Sequence, residues 1–376
     1  MKKYIMTPGP VEIPPSVLLS QSYPIIHHRT EEYRILFEEI IEGLKYVYKT
    51  KNDIFVFASS GTGAMESAVV NLLSPREKAL VIKGGKFGER WADICERYNI
   101  EVISLDVEWG KAVSVDEIKN KLNEFPDIKV VFTTLVETST GVLTDIKSIS
   151  KMLKNTPYVL VVDAISGLGA EEMDTDGWGV DVVVAGSQKA LMLPPGLAFL
   201  SINEKAWKLV ENSKSPRFYW DLRDYKKAQD KKDNPFTPAI SLLFALKESL
   251  FLIKKQGLEN LIASYAKLSK ATRAGIMALG LELFSGFSAN ALTTVKSPIE
   301  ASKIIKLLAS KYGIIIAGGQ GHLKGKIFRI SSMGYSDIFT VITIISALEM
   351  VLKELGLPVE LGKGIQKVEE VLMENN

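Results

Sequence analysis

The chain reads as an α/β protein built on a mostly parallel sheet, and three observations predict it. Short runs rich in Val, Ile, Leu and Phe recur at intervals that leave room for a helix between neighbours. The two purest runs, Tyr158–Asp163 and Asp181–Gly186, are apolar at every interior position instead of alternating, the pattern of strands covered on both faces. Each run also ends in polar residues with chemical potential, at the edge where open α/β sheets hold their ligands.

Taken in order, the chain starts with an extended arm. Pro8, Pro10, Pro14 and Pro15 exclude regular helix through most of it. Such an arm suits lying across a cofactor cleft or a partner subunit. Thr30 is a candidate N-cap for a helix over Glu31–Tyr48. The first strand, Ile54–Ala58, leads through Ser59-Ser60-Gly61-Thr62-Gly63 into a helix from Ala64 to Leu73. Strands then follow at Ala79–Lys83, Glu101–Leu105, Lys129–Val136, the two opening runs and Leu197–Ile202, seven in all. Helices over Phe87–Tyr98, Ser114–Asn123 and Asp145–Leu153 separate them, which makes a parallel sheet with helices on both faces.

Composition changes at Asn212–Asn234, a charged stretch closed by Pro235-Phe236-Thr237-Pro238. One long helical pattern from about Ile240 to Leu279 then connects into a smaller domain. Its pieces are strands near 292–295, 314–317 and 326–330 and helices after Pro298 and from Asp337 to Leu355. The expected division is an arm over 1–20, a large domain over 21–238, and a connecting helix with a small domain over 239–376.

The totals narrow the function. A net charge of +2 over 376 residues, without a long basic run, offers nucleic acid no electrostatic footprint. No apolar run approaches the roughly 20 residues that cross a bilayer, and no secretory leader precedes Thr7-Pro8-Gly9-Pro10. The one cysteine, Cys95, falls within the expected surface helix after Phe87 and cannot form an internal disulfide. The expectation is a cytoplasmic protein.

Lys189 and Asp163 carry the chemistry. Lys189 follows an apolar strand and precedes Ala190-Leu191-Met192-Leu193, so its amine should be buried and partly neutral, as imine formation with an aldehyde requires. Asp163 closes Val159-Leu160-Val161-Val162, where a carboxylate needs a charged or hydrogen-bonded partner. A pyridinium nitrogen is such a partner, and the pair suits pyridoxal phosphate. A surface lysine and a turn-capping aspartate are the competing readings.

Ser60-Gly61-Thr62-Gly63 joins a strand to a helix, where free N–H groups and the helix dipole attract an anion. A dinucleotide loop is disfavoured, because Glu66 stands where a third glycine belongs and Lys83 ends the second strand without an acid. Phe87 offers a ring for stacking and Thr138 a hydroxyl at the same edge. Arg329, within an apolar strand, wants a carboxylate, from a substrate or from an internal ion pair. His27, His28 and His322 show no metal-ligand spacing, and Gly318-Gly319-Gln320-Gly321 precedes a strand, a poor phosphate loop. No metal is expected.

Taken together, Ser60-Gly61-Thr62-Gly63-Ala64-Met65-Glu66, Glu137-Thr138-Ser139-Thr140-Gly141, Val162-Asp163-Ala164, Gly186-Ser187-Gln188-Lys189-Ala190-Leu191 and Pro194-Pro195-Gly196 resemble the class V aminotransferases, most closely the alanine–glyoxylate and serine–pyruvate branch. The resemblance runs from Thr7 to Arg329. It implies a fold-type I enzyme, with a seven-stranded, mostly parallel large domain and a small C-terminal α/β domain. It also implies a homodimer with shared active sites. Lys189 would form the Schiff base and Asp163 would face the pyridine nitrogen. Ser60, Gly61, Thr62 and Gln188 would hold the phosphate, Phe87 would stack where the family often has tryptophan, and Thr138 would bond near the phenolic oxygen. Thr237 would reach the neighbouring subunit's phosphate, although the tyrosine expected three positions earlier is Asn234. Arg329, with Gly9 beside it, would bind the substrate carboxylate.

The implied reaction is ping-pong transfer from alanine or serine to glyoxylate or pyruvate. The alternatives are an aspartate or 2-aminoethylphosphonate transaminase, a cysteine desulfurase, or a pyridoxal-phosphate-binding protein without catalysis. Arg29, Lys83 and Lys86 are the candidates for a second carboxylate.

Overall fold

The computed structural model describes residues 2–374. Seven strands form the main sheet: β1 (Asp53–Phe57), β2 (Lys78–Lys83), β3 (Glu101–Asp106), β4 (Ile128–Thr134), β5 (Val159–Asp163), β6 (Val182–Gly186) and β7 (Ala198–Ile202). Their order is β1-β7-β6-β5-β4-β2-β3. Only β7 runs against its neighbours β6 and β1, so the other six strands share one carboxyl edge. Strands β5, β6 and β7 are buried at every position, which is why their sequences lack alternation. Each fully buried Val or Leu contributes about 1.5–3 kcal/mol relative to exposure, enough to keep the sheet rigid beneath whatever its edge carries.

Helices cover both faces. Glu31–Tyr48 starts where Thr30 accepts from the Tyr33 N–H, as its sequence implies. The helix expected from Ser114 starts at Val115, with Ser114 and Glu117 forming a capping box. The long pattern after Ile240 is two helices, Ile240–Gln256 and Leu258–Ala278. Gly257 divides them with φ +87°, a left-handed conformation that only glycine enters without strain.

A second, three-stranded sheet is formed by β8 (Leu292–Lys296), β9 (Ala317–Gly318) and β10 (Ile327–Ser331), with β10 in the centre. The single strand expected over 314–317 is therefore two pieces. Ile314–Ile315 pairs with Tyr4–Ile5 of the N-terminal arm, and only Ala317–Gly318 joins β10. A helix that the sequence reading passed over, Lys363–Met373, closes the chain.

The arm is extended as far as Pro14 and then turns into the short helix Pro15–Ser20, which starts on a proline. The Ser331 N–H donates to the Met6 carbonyl at 2.8 Å, so the arm is bound to β10 as well. Glu171 ties the two sheets' surroundings together: its buried carboxylate accepts from the Asn290 side chain at 2.9 Å and the Ala291 N–H at 3.0 Å.

Candidate active site

Because six strands share a carboxyl edge, the segments that leave them converge. Ser60–Gly63 follows β1, Gly84–Phe87 follows β2, Glu137–Thr140 follows β4, Asp163 ends β5 and Lys189 lies three residues past β6. Asp163 is level with Thr134 of β4 and Val184 of β6.

Lys189 is 7% exposed. Burial, together with the positive charges of Arg329 and Arg90 and against the pull of Asp163, brings its amine down to about 8. The Nζ donates to the Pro8 carbonyl, so the arm lies directly on the lysine. Gly9 allows this contact: a Cβ there would come 2.4 Å from Lys189 Cε, and its φ of +110° excludes most other residues. Asp163 is 2% exposed, and burial raises its carboxyl to about 7. Among the described residues one hydrogen bond holds it, from the Ile165 N–H at 2.8 Å.

Arg329 comes from β10, where it is level with Thr294 and Ala317. It is not in an internal ion pair among the described residues, which removes the competing reading. Its guanidinium donates to the carbonyls of Gly318 (3.0 and 2.7 Å) and Thr138 (2.7 Å). Burial lowers it to about 10. Thr138 thus contributes its carbonyl to Arg329, while its hydroxyl shares a 2.6 Å hydrogen bond with Ser166.

Ser60 is the N-cap of the helix Gly61–Leu72, yet its side chain makes no capping bond and the first turn carries no acid. The Gln188 Oε1 is buried without a partner; a half-turn of that amide would present its NH₂ there instead. Thr237 is not brought to Lys189 by any contact among the described residues. It is exposed in the loop Asn234–Pro238, which borders a small cavity beside Ala58. Asn234 is buried against the Tyr33 hydroxyl. The three candidates for a second carboxylate are all engaged with acids: Arg29 with Asp233, Lys83 with Asp106 at 2.9 Å and Lys86 with Glu89 at 2.6 Å.

Two residues of this edge escaped the sequence reading. Glu137 was noticed only as part of a motif. It is 4% exposed and accepts from the N–H groups of Phe87 (3.1 Å), Gly88 (3.0 Å) and Ser139 (3.1 Å). It thereby caps the helix Lys86–Arg97 from outside, and burial raises its carboxyl. The sequence did hold a signal: Gly85 at the N-cap has no side chain to satisfy that helix. Arg90 is the other, with its guanidinium 4.9 Å from the Phe87 ring centroid and 3.1 Å from the Thr62 hydroxyl.

A phosphorylated pyridine aldehyde fits this set. The uncapped helix start and the unpartnered Gln188 suit its phosphate, the singly bonded Asp163 suits its ring nitrogen, and the depressed amine suits its aldehyde. The family model for class V aminotransferases matches residues 20–334. The chain belongs to the class V aminotransferases. It is a transaminase, and the cofactor of its family is pyridoxal phosphate.

Among its relatives, a Methanocaldococcus jannaschii protein named only as an aminotransferase is 42% identical, covering 99% of this chain and 98% of its own. The L-aspartate–glyoxylate aminotransferase of Paracoccus denitrificans is 34% identical (97% and 95% covered). The serine–glyoxylate aminotransferase of Arabidopsis thaliana is likewise 34% identical (97% and 94% covered). Among solved structures, the ureidoglycine–glyoxylate aminotransferase of Bacillus subtilis superposes with a TM-score of 0.95 at 30% identity, over 100% of this chain and 99% of that one. The fold is that of the fold-type I enzymes, with a large, mostly parallel sheet and a smaller C-terminal α/β unit. Among the described residues no helix is long and apolar enough to cross a membrane, and no three metal-ligating side chains gather.

Proposed function

We propose that this aminotransferase moves the amino group of a small monocarboxylic amino acid, alanine or serine, to a 2-oxo acid such as glyoxylate or pyruvate. The observation that carries the donor class is the state of the cations. Among the described residues Arg329 is the arginine held on backbone carbonyls at the cleft, Arg90 is taken up by the Thr62 hydroxyl and the Phe87 ring, and Arg29, Lys83 and Lys86 are engaged with acids elsewhere. One carboxylate can therefore be clamped. Relatives named for glyoxylate support the acceptor.

When bound, pyridoxal phosphate supplies an aldehyde that takes up amino groups and a protonatable ring that withdraws electrons. Ser60, Gly61, Thr62 and Gln188 would hold its phosphate, Phe87 would lie against its ring, and Thr138 would face its phenolic oxygen. Asp163 holds a proton at the ring nitrogen. Arg329 exchanges its carbonyl partners for the donor's α-carboxylate. That fixes the Cα so that Lys189 Nζ can take its proton, and an amine near 8 is neutral often enough to do so. The second 2-oxo acid runs the same steps backwards, which gives ping-pong kinetics.

The exposed apolar side chains Leu18, Leu19, Tyr23, Ile25 and Ile35 favour a homodimer, with Thr237 reaching across it. Full activity in a species that sediments as a monomer would remove that part. Cys95 is fully buried in the core, and burial raises its thiol well above the ordinary range, which disfavours the desulfurase reading.

The test is a donor panel added to the holoenzyme without acceptor, following its visible absorbance, with glyoxylate then added to restore the band. Serine or alanine should bleach the band fastest. A clear preference for aspartate or 2-aminoethylphosphonate would overturn the small-donor reading.

A further inference from the structure

We propose that Arg90 is a positioning residue of the cofactor site, one that turns the Thr62 hydroxyl into a phosphate donor and fixes the Phe87 ring. This rests on the reading of the cleft given above. Arg90 Nη1 donates to Thr62 Oγ1 at 3.1 Å. A hydroxyl that accepts a charged donor has its own proton left to give, and gives it more strongly. Thr62 lies in the first turn of the helix whose start Ser60 leaves uncapped, so the freed O–H belongs to an N-terminus that already favours an anion. The same guanidinium sits 4.9 Å from the centroid of Phe87, three residues earlier on the same helix face. One side chain thus joins the phosphate-facing helix to the stacking helix.

An arginine retained only for packing looks different here. The side chain of Arg217 is shielded from solvent and donates to the carbonyls of Val70, Ser213, Ser215 and Val210. Arg90 has no carbonyl and no carboxylate partner among the described residues. Its two contacts are both with groups that the reading above assigns to the cofactor. Its charge also reaches Asp163 and Lys189. With Lys189 and Arg329 against Asp163 and Glu137, it leaves the cleft with an excess of positive groups, the balance a phosphorylated ligand would correct.

The experiment titrates apo protein with pyridoxal phosphate and, separately, with pyridoxal, for the parent, Arg90→Gln, Thr62→Val and the double variant. In Arg90→Gln the preference for the phosphorylated form should fall by roughly tenfold, the loss of one charged hydrogen bond. Adding Arg90→Gln to Thr62→Val should lower that preference little further, because the two act as one unit. The pyridoxal titration checks that each cleft is intact. An unchanged preference in Arg90→Gln, or losses that simply add in the double variant, would overturn the role of Arg90 alone. A parent protein that binds neither compound would bring down the reading of the cleft itself.

Discussion

Asp163 in the cleft and Glu349 among the C-terminal helices are each 2% exposed, but their surroundings differ in kind. Glu349 accepts from the N–H groups of Gly362 (2.8 Å), Gly364 (2.7 Å) and Ile365 (3.2 Å), at the start of the helix Lys363–Met373. Every demand of its burial is met by backbone that would otherwise lack partners. Asp163 has a single N–H, and its carboxyl rises to about 7. A buried acid that organises a fold is fully bonded; one kept for a ligand is left short. The region around Lys189, Asp163 and Arg329 should therefore cost stability, and the region around Glu349 should supply it.

The largest expected effect is on turnover. Lys189→Ala should lower it by on the order of 10⁴-fold or more, measured as glyoxylate-dependent transfer, while pyridoxal phosphate still binds through the phosphate groups. A nearly active Lys189→Ala variant would break the comparison at its centre.

Asp163→Asn comes next, with a loss of roughly 10²-fold or more in turnover and a gain in stability of the apo chain. Folded Asp163 keeps its proton up to about pH 7, against about 4 when unfolded. The folded state binds the extra proton between those values, so stability from this group is complete below about 4 and is lost as pH rises toward 7. Thermal melting should show apo Asp163→Asn above the parent at pH 8 by about 2–4 kcal/mol, the gap closing as pH falls toward 4. A variant less stable than the parent at pH 8 would contradict the account. The smallest effect is Glu349→Ala, which should lower stability by about 2–3 kcal/mol and leave turnover per folded molecule unchanged.

The sequence announced some of this better than the rest. Unbroken Val- and Leu-rich runs of four or five residues bounded by turn residues read as strands buried on both faces, which put Asp163 and Lys189 at one sheet edge. Thr30 stood out because a capping side chain acts on a residue three positions away. Long-range partners had no such signature. Arg90 sits in Lys86-Phe87-Gly88-Glu89-Arg90, which reads as the solvated face of a surface helix. Only the fold reveals that β1 and its helix bring Thr62 to meet it. Gly257 was hidden for a different reason, since the apolar spacing runs on through it and only its backbone conformation divides the helices.

The N-terminal arm has a consequence for the order of synthesis. Tyr4–Ile5 has no pairing partner until Ile314–Ile315 exists, and Met6 waits for Ser331. The arm is made before the segments that hold it and is thus among the last parts to settle. The strands that carry Asp163 and Lys189 can pair long before that, but Lys189 meets Pro8 under a secured arm only after residues 314–331 are made. A chain truncated before residue 314 would therefore expose its lysine without the strap that lies on it.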